Sequence, residues 1–357
     1  MATSYEIDDI RESKDFRGIS FSGFKKTDVK KELLNSLYNS KIEPACYWSA
    51  EMICAGHFLD LWNIIIGYYT KHIHVGNPKI VVYLDLRINN FKDLVQNGYS
   101  DNEMRLRNNA RMRRLFCEVM CVLCDAKKYH SIDEVKVRKT DFDLTQITER
   151  LQAPNVTYAQ PIFREDDPKE VFIAINELAF NLSEEGKNLV NCCYWIEWLL
   201  EFESICKGKK EGCYCERRTF ATVATQCQMD LIWLVWDLFL YTAKRYSPLI
   251  QKAIQSALNI FCLKYTPAMQ KKRKLLLYFV VGLLTDNAHY DEEIVRDKEK
   301  VQIVTENINN VYRQIKKNEH STKTGYLHAN DTAKNLEETI EKLEQMSSLG
   351  AEFVPRL

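Results

Sequence analysis

The stretch "ACYWSAEMICAG" at 45–56 reads as the start of an apolar helix, and "CCYWIEWLLEFESIC" at 192–206 starts another in the same way. Cys46-Tyr47-Trp48 and Cys193-Tyr194-Trp195 lie 147 positions apart (193 − 46). A second correspondence follows at an offset of 160 (271 − 111), where "RMRRLFCEVMCVLC" (111–124) and "KKRKLLLYFVVGLL" (271–284) each open on a basic cluster and run into an apolar helix. Between them stands an aromatic segment carrying Trp62 in the first half, and Trp233 with Trp236 in the second. The same order, at offsets differing by 13 (160 − 147), points to a duplicated four-helix unit. Chance reuse of aromatic and basic-to-apolar patterns in a helical chain is the competing reading.

Composition sets the same class. Only 12 Gly and 8 Pro occur in 357 residues, and so few breakers favour helices over a turn-rich β architecture. The expected fold is all-α: tandem four-helix bundles, a partly irregular connector and a C-terminal helical hairpin. Residues 1–40 form an N-terminal arm with a short helix, 41–127 the first repeat, and 128–186 a connector with one helix. Residues 187–290 form the second repeat and 291–357 a heptad-like tail. Helices are expected near 44–56, 58–74, 79–96, 104–127, 188–206, 219–243, 248–264 and 269–285. "PKIVVYLDLRI" is β-branched enough to be a strand instead. In the tail, Ile294, Val301, Val304, Ile308, Val311 and Ile315 follow a heptad seam that wants a partner, and Leu336, Ile340 and Leu343 continue it.

Lys plus Arg (49) equals Asp plus Glu (49), so a contact with a polyanion has to come from a local cluster. Two exist: Arg105, Arg107, Arg111, Arg113 and Arg114 in one half, and Lys271, Lys272, Arg273 and Lys274 in the other. They fit phosphate or acidic protein segments, or the solvated ends of helices making ion pairs. The runs "LIWLVWDLFL" and "LLLYFVVGLL" are about half the ~20 residues that a membrane span needs. A charged N-terminus and cysteines within apolar runs indicate a reducing, cytosol-like compartment.

Catalytic signatures do not emerge: neither GxSxG, HExxH, GxxxxGK[ST] nor GxGxxG is present. Cys117, Cys121 and Cys124 share a helix face but read as a core stripe. Cys206, Cys213, Cys215 and Cys227 are a zinc candidate that lacks the usual CxxC pair. His72 and His74 read as caps of a helix end, and Glu51, Glu197 and Glu201 as partners of an Arg or a backbone donor. No catalytic residue, cofactor or metal ligand is assigned.

At "KIEPACYWSAEMICAGHFLDLW", "KHIHVGNPKI", "ERLQAPNVTYAQ", "CYWIEWLLEFE" and "KKRKLLLYFVVGLLT" the chain resembles a family of all-helical proteins of large nucleocytoplasmic DNA viruses, notably those infecting algae. These blocks span roughly 41–285. The resemblance implies a protein of the virion or of the virus factory in the host cytoplasm, plausibly a minor capsid or cement component whose partners are other capsid subunits. It carries over no catalytic residue. The expected role is therefore a non-enzymatic structural and interaction protein. The alternative is a nucleic-acid-binding accessory subunit of viral replication or transcription. A zinc-containing enzyme is a third class, requiring bound metal and a cleft with perturbed titratable groups.

Trp48, Trp195, Trp62 and Trp233 are the expected packing anchors, since each buries a large apolar area around one polar tip. We predict that Trp48→Ala and Trp195→Ala each cost ~3–5 kcal/mol. Thermal melts read this directly, and near-wild-type melting of either variant would contradict it.

Overall fold

The computed structural model describes residues 5–100, 102–142, 147–286, 290–321 and 341–342. It is all-helical, with thirteen α-helices and no strand among the described residues. Contacts group the chain into two compact units: residues 1–65, 89–126 and 295–357, and residues 66–88 with 127–294.

In the first unit the helices are α1 (Lys26–Tyr38), α2 (Ile42–Cys54), most of α3 (Phe58–Tyr68) and the end of α4 (Lys79–Gln96). α5 (Ala110–Asp125), α12 (Lys298–Glu306) and α13 (Ile308–Lys316) complete it. α2 is its axis. Every residue from Pro44 to Cys54 is buried, as an inner helix that is apolar on all sides requires. α1 lays Val29, Leu33 and Leu37 against it, four residues apart. Trp48 meets Phe24 edge-on at 5.5 Å, and Trp62 sits among Phe91 (5.9 Å) and Phe116 (5.1 Å). The side chain of Asn109 caps α5, accepting from the amides of Arg111 and Met112.

The tail departs from a single heptad helix. Asp297 caps α12 through the Lys300 amide, and the chain breaks at Asn307 before α13. The seam finds its partner within its own unit: α12 packs on α5 and α13 on α2 and α5, burying Ile308, Tyr312 and Ile315. Leu336, Ile340 and Leu343, expected to continue the seam, lie outside the described residues.

The second unit contains α6 (Phe172–Asn181), α7 (Leu189–Lys209), α8 (Ile232–Ala243), α9 (Pro248–Cys262), α10 (Pro267–Lys272) and α11 (Lys274–Thr285). The segment left open between helix and strand is helical: Ile80, Val81, Leu84, Asp85 and Ile88 are buried at helical spacing. The helix expected at 58–74 is shorter. α3 ends at Tyr68, and a π-turn at Tyr69–Ile73 and a 3-10 turn at His74–Gly76 follow. His74 has φ +46°, a conformation rarely adopted outside glycine. It lies against Gly282 on α11, where a Cβ would come within 2.8 Å of Val75 Cγ1, so only glycine fits there.

Two further expectations are corrected. The helix at 219–243 begins only at Ile232, because residues 216–228 form an irregular loop around Arg218. The helix at 269–285 is two, split at Arg273, whose guanidinium donates to the carbonyls of Ile260, Phe261 and Leu263 at the end of α9. That capping of a neighbouring helix end requires the break.

Among its described residues the connector after residue 127 has short 3-10 turns at Lys139–Phe142, Thr148–Arg150 and Lys169–Val171, so much of its backbone finds partners elsewhere. Buried Glu177 on α6 accepts the amides of Gln152 and Ala153, and Asn176 accepts that of Ala159 and donates to Asn155 O. Trp198 Nε1 donates to Asp141 O at 3.0 Å. Arg218, fully buried, grips both oxygens of Asp167 (2.6 and 3.1 Å), Asp237 (2.8 Å) and the Ile162 carbonyl.

Losing the fully buried partner that takes two of its bonds is expensive for Arg218 even with Asp237 still beside it. We predict that Asp167→Ala destabilises the protein by ~3–5 kcal/mol, while the double change Asp167→Leu with Arg218→Met restores most of the loss. Urea titration of the single and double variants tests this; equal losses in both would show that the ion pair is not what the loop depends on.

Candidate functional site

The basic clusters divide into structural and outward-facing residues. Arg113 on α5 is buried. Its Nε donates to Arg107 O (2.6 Å), its Nη1 to Asn309 Oδ1 (3.1 Å) and its Nη2 to Tyr5 O (3.2 Å) and Asn108 Oδ1 (2.9 Å). Its guanidinium carbon lies 3.9 Å from the centre of the Tyr312 ring. Arg107 is buried over Phe21 and donates to Asp9 O. Arg273 is buried in its cap of α9, and burial brings its pKa down to about 10. Lys274 pairs with Glu134 (3.0 Å) and Glu197 (3.1 Å). Arg105, Arg111, Arg114, Lys271 and Lys272 are exposed. The sequence could not separate these two sets, since buried and exposed arginines alternate within one short basic run.

Arg105 and Arg107 line a wide open groove of about 1130 Å³ in the first unit. Its walls are the N-terminal arm (Asp9, Arg11, Glu12, Lys14) and the turn at Asn97–Asn108. Most of its charges are already matched: Arg11 with Asp9 at 2.6 Å and Lys14 with Glu12 at 2.9 Å. The arm is itself fixed. Asn108 exchanges two bonds with the Ile7 backbone, and the Ile10 amide donates to His320 O. Asp8 and Arg11 reach Glu319 and Asn318, so arm and tail clasp each other.

The other residues singled out in the sequence have structural partners. Trp48, Trp62, Trp195 and Trp233 are all buried, and Trp233 Nε1 donates to Cys227 O. Glu51, fully buried on α2, accepts from the amide and hydroxyl of Ser22; burial pushes its carboxyl above the usual range and the Ser22 bonds oppose that. Glu197 accepts from Tyr278 Oη at 2.7 Å, and Glu201 is exposed. His72 shares a hydrogen bond between ring nitrogens with His130 at 3.1 Å.

Two arrangements were not legible as such. In the second unit, buried Glu203 and Asp230 both face Lys207 (3.1 and 3.8 Å), and burial raises the Asp230 carboxyl. Tyr265 donates to Asp230, Gln270 Nε2 to Glu203, and the Leu231 amide to Glu203. A buried pair of carboxylates, one of them raised by burial, is an acid–base motif. Here its bonds tie together the chain entering α8, α7 and α10, which is a structural task.

The second is a cysteine cluster. The thiols of Cys46 (α2), Cys117 and Cys121 (α5) lie within 4.8 Å of one another, all buried, with Cys46 Sγ and Cys117 Sγ 3.7 Å apart. Cys46, not Cys124, completes the set, from 71 residues away. The hydrogen bonds from Cys117 and Cys46 hold the Cys121 thiol below its usual range and push the other two above theirs. Among the described residues this is the group of metal-ligating atoms that comes together; Cys206, Cys213, Cys215 and Cys227 do not gather in this way, and Cys215 Sγ donates to Asp230 O instead. No helix among the described residues is long and apolar enough to cross a membrane. No family model, curated protein or solved structure matches the chain.

Burial holds His74 down to about 4, against the pull of Asp286 and the Tyr278 carbonyl. In the unfolded chain it binds a proton near 6.5, so between these values the unfolded state holds more protons and stability rises with pH. We predict a loss on the order of 3 kcal/mol from this residue as pH falls from 6.5 to 4. His74→Asn should flatten the profile, measured as denaturation midpoints at both ends of the range; an unchanged slope would rule His74 out as its source.

Proposed function

We propose that this chain is a non-enzymatic structural and interaction protein, a minor capsid or cement component of a large DNA virus, present in the virion and in the virus factory of the host cytoplasm. Its partners are neighbouring protein subunits, one of which lays a segment into the groove between the N-terminal arm and Asn97–Asn108. The single observation that carries the reading is the chemistry of that groove. Its charges are of both signs and largely matched within the wall. A mixed-sign polar trough complements a protein segment better than a uniform polyanion, which needs a run of unmatched positive charge. Arg107, Arg113, Arg273 and Lys274 are engaged internally, which removes much of the positive charge that the nucleic-acid reading requires. The viral setting rests on the sequence resemblance alone.

The reading includes an internal duplication. Supporting it, α2 packs between α1 and α5 as α7 packs between α6 and α11, and Arg113 and Arg273, which correspond at the offset of 160, both donate to carbonyls preceding their helices.

We expect the charge reversals Arg105→Glu and Lys14→Glu to weaken cross-linking to capsid subunits in purified particles by at least tenfold, with melting unchanged. Mass spectrometry of those particles should find many copies of the chain. Salt-dependent DNA binding that these same reversals abolish, with normal capsid cross-links, would instead establish the nucleic-acid role.

A further inference from the structure

We propose that Cys46, Cys117 and Cys121 bind one zinc-class ion, borderline-soft and divalent, through three thiolates, with a light donor such as water in the fourth position. This goes beyond the interaction role and stands independently of it.

The spacing comes first. Zinc–thiolate bonds of ~2.3 Å place the sulfurs of a tetrahedral site ~3.8 Å apart. Cys46 and Cys117 already stand at 3.7 Å, and all three sulfurs fall within 4.8 Å. Contraction of the third sulfur by about an ångström needs only a rotation about χ1, not a movement of backbone.

The scaffold comes second. Cys117 and Cys121 are one turn apart on the same face of α5, and Cys46 faces them from the fully buried α2. Ligands projecting from two packed helices are held more firmly than ligands on a loop, such as Cys213 and Cys215.

Third, the cluster has access. Cys46 lines a cavity of about 340 Å³ together with Glu43, Tyr47, Val304 and Asn307. An ion enters there, and a water completes the tetrahedron there. Three thiolates and a divalent ion sum to one negative charge. Each coordinating thiol loses its proton to solvent, so binding releases up to three protons per ion and tightens with pH.

The test uses the full-length chain, reduced and stripped with a chelator, then titrated with cobalt(II) as the probe. A thiolate-to-cobalt absorption should saturate at one ion per chain, be displaced by zinc(II), fall sharply in Cys46→Ala and Cys121→Ala, and survive in Cys213→Ser. If the alanine variants do not fold, X-ray absorption of the zinc-loaded wild type decides: the expected shell is three sulfurs at ~2.3 Å with one oxygen or nitrogen. Absence of the band at stoichiometric cobalt, a four-sulfur shell, or loss of the band in Cys213→Ser would overturn the site. So would a stripped protein that forms a Cys46–Cys117 disulfide and takes up no metal after reduction.

Discussion

Much of this structure depends on one constraint: irregular backbone laid over buried surface must find hydrogen-bond partners that no helix supplies. The N-terminal arm, the connector and the loop before α8 all run in this way. Their partners are buried polar side chains on the helices beneath. Arg113 takes the Tyr5 and Arg107 carbonyls, Glu177 the amides of Gln152 and Ala153, and Arg218 the Ile162 carbonyl. An unmade bond to a buried group costs roughly 1–3 kcal/mol, so a handful of these contacts is comparable to the whole stability of a domain. The buried charges are thus the means by which non-helical chain is held on a helical body.

This explains which parts could be read from the sequence. Helix positions followed from apolar periodicity and proline placement, as at Pro248 and Pro267 opening α9 and α10. That information is local, so 357 residues of pattern carried it well. Failures came where a distant residue decided the local outcome. The break at Arg273 exists because that side chain caps another helix, and the loop at 216–228 because Arg218 fastens to Asp167, 51 positions away. The thiol cluster was half visible: Cys117 and Cys121 share a face by their spacing, but the third member arrives by tertiary packing. Cys124, on the same helix, is not among the three thiols that come together.

The tail shows the same limit in another form. A heptad seam states that an apolar face will be covered, without stating by what. Here α2 and α5 cover Ile308 and Ile315 while Val301, Val304 and Val311 stay half-buried, and the clasp between residues 8–11 and 318–320 fixes both chain segments on the first unit. The folded-back tail and the mixed-charge groove are joined by this same clasp: the arm that carries Asp9 and Arg11 into the groove wall is held by Asn318, Glu319 and His320 at the end of the tail.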